Sequence, residues 1–424
     1  MATQTPSQIA RKTSTIGFRE FVVLAAAMMS IQAIAIDAML PALPTIAKAL
    51  QLANQNHSQW IVTAYVIGMG VGQLFWGLVS DRYGRRPVLL VGVALYALAA
   101  FLSGLTDSFQ ALLVWRLVHG MAAASAVVTR SVIRDLYSGR HMARIMSLTF
   151  VVFLMVPVVA PSLGQLILLL APWRYIFIVF GIFASAIWLW SLLRLPETLH
   201  PEYRLILNRK HITGAIALVL GNRTSLCYTL AMTAMFGSLL AYVAMVQQVF
   251  AEVFHRASLM PTMFALCAIA MGIASFLNSK IVERLGMRTI SHAALLLYIG
   301  VTLAHVLVAA LGLEQLWIFV LLQSVTMACF GLAVSNFGAM AMEPIGAVAG
   351  IGASLQGFIT TFGGALLGAL IGRQFNGSIM PLVGGALGCG LLSMLFVLLA
   401  EQWRLFRPHA AGAQMLASHE EFAQ

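Results

Sequence analysis

Gly77-Leu78-Val79-Ser80-Asp81-Arg82-Tyr83-Gly84-Arg85-Arg86-Pro87 decides the fold of this chain. Four charges fall within residues 81–86, between two long apolar runs. Gly77 lets a neighbouring helix come close, Gly84 suits a tight turn, and Pro87 suits a helix start. The stretch therefore reads as a charged turn joining two helices. It returns 202 residues later as Glu283-Arg284-Leu285-Gly286-Met287-Arg288, with acid, first Arg, Gly and last Arg in register. A turn that recurs at one place in two sets of apolar runs points to a duplicated unit. Asp81 is placed to pair with a nearby Arg or with the positive end of a helix, which would make residues 77–86 a conformational latch. The plainer alternative is a basic loop with turn residues.

Working outward, apolar runs occupy most of the chain. Of its 424 residues 60% are hydrophobic and only 9% are charged, against roughly 25% charged in a soluble domain. So few charges cannot cover a water-exposed surface of this size. A spanning helix needs about 20 apolar residues to cross roughly 30 Å of hydrocarbon. The first half offers such runs at 18–42, 58–79, 88–106, 109–132, 142–170 and 174–194. The second offers 224–250, 260–282, 289–312, 315–340, 349–373 and 380–403. The expected organisation is an N-terminal bundle over 1–194, a cytoplasmic linker over 195–222, a C-terminal bundle over 223–403 and a tail over 404–424.

The formal net charge of +11 is topology information rather than a nucleic-acid footprint. With the N-terminus in the cytoplasm, twenty Lys and Arg residues fall on the cytoplasmic side, from Arg11 and Lys12 to Arg404 and Arg407. Only Lys48, Arg174, Arg256 and Arg373 fall on the other. This bias follows the positive-inside rule and favours an even number of spans with both termini in the cytoplasm. The first run is long and is followed by many more, so it reads as an uncleaved helix rather than a signal peptide.

The loop 77–86 resembles the cytoplasmic signature G-x-x-x-D-R-x-G-R-R of the major facilitator superfamily. Asp37-Ala-Met-Leu-Pro41-Ala-Leu-Pro44 resembles the first-helix signature of its twelve-helix drug–proton antiporters of the Bcr/CflA type. Arg116-Leu-Val-His119-Gly120 resembles their fourth-helix motif, and Pro157-Val-Val-Ala-Pro161-Ser-Leu-Gly164 their helix-five antiporter motif. The last departs from the usual pattern, with Ala160 before Pro161 and Gln165 after Gly164. The resemblance implies an all-α membrane fold of twelve helices in two pseudo-symmetric six-helix bundles. It also implies a place in the bacterial inner membrane, and it links the fourth-helix Arg to proton handling.

Asp37 is an acid well inside a span, where it costs about 2.5–3.5 kcal/mol on the insertion scale. Such a group protonates, pairs or lines water, and alternation between these states would load and release a proton. The competing reading is an interfacial Asp, because Pro41 and Pro44 leave the helix end ambiguous. Arg116 lies about 10 Å below the outer start of its helix, so it is expected to share a depth with Asp37 and to tune it. A structural Arg bonded to carbonyls is the alternative. Pro157 and Pro161 remove backbone donors and are expected to kink the fifth run. Gly120 with Ala124, and Gly363, Gly364, Gly368 and Gly372, suit close helix packing. His119 is read as a hydrogen-bonding residue, with proton transfer as the alternative. Tyr65, Gln73, Phe236, Asn336 and Gln356 are cavity candidates.

No GxxxxGK[ST] phosphate loop, HExxH or GxSxG is present, so ATP hydrolysis by that route and the enzyme classes those motifs mark are not expected. Cys227, Cys267, Cys329 and Cys389 lie in apolar runs without metal-ligand spacing. No cofactor or metal is expected. The leading expectation is proton-coupled export of a small lipophilic or cationic molecule by a monomer within membrane lipid, without nucleic acid. The alternatives are a proton symporter importing a metabolite and a non-transporting membrane sensor.

Overall fold

The computed structural model describes residues 16–137, 139–199, 202 and 209–406. Arg11, Lys12 and the tail from residue 407 lie outside the described residues. In the first half the long helices are α1 (Phe18–Asp37), α2 (Trp60–Tyr83), α3 (Arg85–Leu105), α4 (Phe109–Ala123), α5 (Gly139–Leu170) and α6 (Arg174–Arg194). In the second they are α7 (Arg223–Gln248), α8 (Met260–Leu285), α9 (Met287–Ala310), α10 (Leu316–Met342), α11 (Ala349–Gly372) and α12 (Met380–Ala400). No strand occurs among the described residues.

Eleven helical segments among the described residues are long and apolar enough to cross a membrane. The twelfth long helix is α5, whose described apolar stretch is Met155–Leu170. Leu105, Leu169, Leu170, Leu193 and Trp317 are exposed on these helices or their ends, an outer wall suited to hydrocarbon rather than water.

Each half packs its helices in the same pairs. α1 lies on α5, α2 on α4, α3 on α4 and on α6; adding six to each number gives the pairs observed in the second half. The two cross-half seams obey the same rule, α2 against α11 and α8 against α5. The architecture is thus two pseudo-symmetric six-helix bundles, as the repeated loop suggested.

Both repeated turns are closed by a glycine at positive φ, Gly84 at 106° and Gly286 at 81°. That backbone conformation is strained for any residue with a Cβ. Their surroundings differ. A Cβ on Gly84 would strike the Glu197 carboxylate, whereas one on Gly286 would meet open space.

One sequence expectation needs correction, and two others gain detail. The first span does not stop near residue 42: α1 ends at Asp37, but a 3₁₀ turn (Leu40–Ala42) and a short helix (Leu43–Ala49) carry it on. Pro41 and Pro44 sit at the starts of these two pieces, where a missing N–H breaks no helical bond. Within the linker expected over 195–222, Arg209–Gly221 is a helix that packs Val219 with Ile345 and Leu355. Pro157 and Pro161 both lie inside α5, which is one continuous helix.

Candidate proton and translocation site

Extending the first span to Ala49 favours the interior reading of Asp37 over the interfacial one. It lies twelve residues from that end, or about 18 Å along a helix, so it sits near mid-depth rather than at an interface. It occupies the last position of α1, where the helix breaks into the 3₁₀ turn, and is 6% exposed. Among the described residues it makes no hydrogen bond or ion pair. The next residue, Ala38, presents its carbonyl to Gly164 of α5, where a side chain of any size would collide. Gly164 therefore lets α5 close on the break in α1, and Ala160 and Pro161 are buried on the same helix.

Arg116 on α4 is fully buried but is not paired with Asp37. Its Nε donates to the Ile61 carbonyl at 3.1 Å and its Nη2 to the Ala35 carbonyl at 3.1 Å. Ala35 is in the last turn of α1, whose carbonyls lack helical donors, and Ile61 is in the first turn of α2. The guanidinium also lies 4.3 Å from the Tyr65 ring centroid, a cation–π geometry. The carbonyl-held alternative is thus the one seen here. Arg116 fastens α4 to α1 two residues from Asp37.

His119 accepts from Arg116, whose Nη1 lies 3.1 Å from its Nδ1. A guanidinium can only donate, so Nδ1 carries no proton and His119 is the neutral Nε2–H tautomer. Its Nε2 is buried and has no hydrogen-bond partner among the described residues. The ring is wedged between Tyr96, with centroids 4.0 Å apart, and Tyr65, at 5.3 Å. Both tyrosines donate to carbonyls of α1, Tyr65 to Gln32 and Tyr96 to Ile31, each at 3.1 Å. Arg116, His119, Tyr65 and Tyr96 thus form one cluster gripping the second half of α1. Tyr96 was missed in the sequence because nothing distinguishes it from other span tyrosines.

The other cavity candidates are dispersed. Asn336 on α10 donates to Asn278 of α8 at 2.8 Å and to its own helix at Leu332. Gln356 on α11 donates to the Gly338 carbonyl at 3.2 Å. Both serve as ties within the second half. Phe236 on α7 packs beside Gly364 of α11. Gln73 on α2 crosses the seam to Thr361 Oγ1 at 3.2 Å.

The loop after α2 pairs inside its own half. Arg85 contacts Asp81, Ser80 Oγ at 2.7 Å and Asp135 Oδ2 at 3.2 Å. Arg86 donates to the Leu192 carbonyl at 2.8 Å, and Arg82 lies over the Tyr83 ring. Glu197 Oε1 accepts from the Arg85 backbone N–H at 2.9 Å, an acid at the positive start of α3. Gly77 faces Ser354 of α11 across the seam. The residues of the expected latch here form a brace among α2, α3, the short helix Val128–Leu136 that follows α4, and the segment after α6.

The sequence profile of the Major Facilitator Superfamily matches residues 23–368. The chain is 32% identical to an uncharacterized MFS-type transporter, YdgK, of Bacillus subtilis, over 80% of this chain and 84% of that protein. It is 30% identical to a bicyclomycin resistance protein homolog of Haemophilus influenzae, over 85% of this chain and 90% of that one. Among solved structures, a peptide transporter POT crystallised with sulfate superposes with a TM-score of 0.74 at 14% identity. That match covers 95% of this chain and 100% of the other. With the repeated loop, the doubled helix pairing and the apolar outer wall, these matches show that the chain is a multi-pass membrane protein belonging to the Major Facilitator Superfamily of transporters.

Proposed function

We propose that this chain is a proton-coupled exporter of small lipophilic or cationic molecules that works by alternating access, with Asp37 as the proton site. The observation that carries the proposal is the setting of Asp37: near mid-depth, buried, unpaired, and at a break in a spanning helix. A bare carboxylate is costly there, so the acid holds its proton while sealed from water. Opening the site to water, or bringing a cationic substrate to it, favours release. Arg116 is the positioning residue, since it holds the helix end that carries Asp37. The bicyclomycin resistance relative supports a drug-like substrate. Under this reading the face bearing the 81–86 loop is cytoplasmic, both termini lie on that side, and the membrane is the bacterial inner membrane.

The test is exchange in everted membrane vesicles energised by respiration. Adding a lipophilic cation such as tetraphenylphosphonium or ethidium should collapse part of the pH gradient with the wild type and not with Asp37→Asn. A gradient that deepens on adding substrate would indicate proton movement in the opposite sense and would contradict the proposal.

A further inference from the structure

At the end of the bundle away from the 81–86 loop, three amide side chains join the two halves. Gln59 Nε2 lies 2.5 Å from Gln248 Oε1, and Gln248 Nε2 lies 2.8 Å from Asn56 Oδ1. Asn56 Nδ2 in turn lies 2.9 Å from the Phe375 carbonyl and 3.4 Å from that of Arg373. The carbonyls fix the direction of the whole series. A backbone carbonyl only accepts, so the Asn56 amide must present its NH₂ there, which turns its oxygen to Gln248. Gln248 must then donate to Asn56 and accept from Gln59. The relay runs one way, Gln59 to Gln248 to Asn56 to the end of α11. Asn56 and Gln59 belong to the first half; Gln248, Arg373 and Phe375 belong to the second.

Two features show that the surroundings are shaped to this relay. Gln59 and Gln248 are each 4% exposed, so their amides need protein partners while this end is shut. Gly372 on α11 leaves the space that the Gln59 amide fills; a Cβ there would collide with Gln59 Oε1. Gln248 is also the last residue of α7, followed by one π-helical turn, Val249–Val253. That wider turn ends the regular helix at the relay itself.

We propose that Asn56, Gln59 and Gln248 are a neutral latch holding the two halves together at the non-loop end, and that its rupture is the step that opens this face. The proposal rests on the alternating-access reading above. Neutral amides suit the task because they hydrogen-bond to each other when shut and to water when open, without the desolvation cost of burying ions in every cycle. The latch is independent of Asp37 and lies at the opposite end from the loop.

The experiment uses the full-length protein in lipid nanodiscs with its four native cysteines replaced by alanine. Spin labels are placed at Leu105 and Leu313, exposed positions at the non-loop end, one in each half. Gln248→Ala removes the centre of the relay. Gly372→Ala displaces the Gln59 amide without altering any relay residue, and alanine suits helical backbone. Each variant should raise the ratio of long to short label distances, by about tenfold in Gln248→Ala, which loses two relay bonds, and by less in Gly372→Ala, which loses one. Gln374→Ala is the control, since that side chain bonds only the Leu370 carbonyl of its own helix end. Distance distributions unchanged in both Gln248→Ala and Gly372→Ala, or shifted equally by Gln374→Ala, overturn the latch. If the wild-type distance is fixed at acidic pH, at alkaline pH and with tetraphenylphosphonium, alternating access fails and the latch fails with it.

Discussion

In the first half Asp37, Arg116 and His119 are buried deep among the helices, whereas the second half is tied internally by neutral amides, Asn278 with Asn336 and Gln356 with a carbonyl. The buried ionic groups of the second half lie towards its ends. Arg288 meets Glu401 at 2.8 Å near the loop end, where Tyr228 donates to the same carboxylate at 2.7 Å. His305 meets Glu314 at 3.2 Å at the other end. Helix pairing is common to both halves, but charge is not. Duplication has kept the scaffold, while under the proposed function the first half handles the proton and the second half faces it as a largely neutral wall.

The largest expected effect comes from removing the acid. Asp37→Asn should abolish proton-driven export in vesicles while leaving thermal stability unchanged, because the side chain has no partner to strand. A marked fall in stability would place Asp37 among the structural residues and break the contrast between the halves.

Next is Arg288→Gln. Glu401, 4% exposed, would lose its cation, and breaking a buried pair costs about 3–5 kcal/mol. Thermal unfolding should show that loss while substrate-induced proton release persists in the protein that remains folded. Loss of proton release at unchanged stability would move proton handling into the second half.

A smaller effect compares glycines. Gly120→Ala drives a methyl into the Tyr65 carbonyl, whereas Gly384→Ala in α12 meets nothing within 4 Å. The first should destabilise by about 1–3 kcal/mol through overpacking. The second should stabilise by up to about 1 kcal/mol through helix propensity. Equal melting temperatures would contradict the packing described for α2 and α4.

The smallest effect compares the repeated turns. Gly84→Ala meets both a positive φ and the Glu197 carboxylate, and Gly286→Ala only the positive φ. The strain common to both is about 1–3 kcal/mol, so Gly84→Ala should be the more damaging, read as the difference in unfolding temperature.

Much of this was legible in the sequence for physical reasons. Lipid requires long apolar runs and penalises charge within them, so the spans, the repeated loop, Asp37 and Arg116 stood out. Arg116's partners did not, because carbonyls of Ala35 and Ile61 look like those of any residue. Pro41 and Pro44 left the end of the first span ambiguous, yet proline at a helix start interrupts nothing, and the seven further residues favour the interior reading of Asp37 over the interfacial one. Glu197 and Asp135 were not singled out, although acids recur at matching places as Glu401 and Glu343. Their roles depend on contacts between distant segments. Gln59 and Gln248 carry no signal that separates them from other glutamines; only the fold brings them together.

The central claim is that Asp37 exchanges its proton for substrate. The most direct test is proton release from purified protein in weakly buffered detergent solution on addition of a panel of lipophilic cations. The wild type should acidify the medium, and Asp37→Asn should bind the same ligands, shown by intrinsic tryptophan fluorescence, without doing so. Undiminished release from Asp37→Asn would contradict the account and turn attention to His119, the other buried group able to carry a proton beside α1.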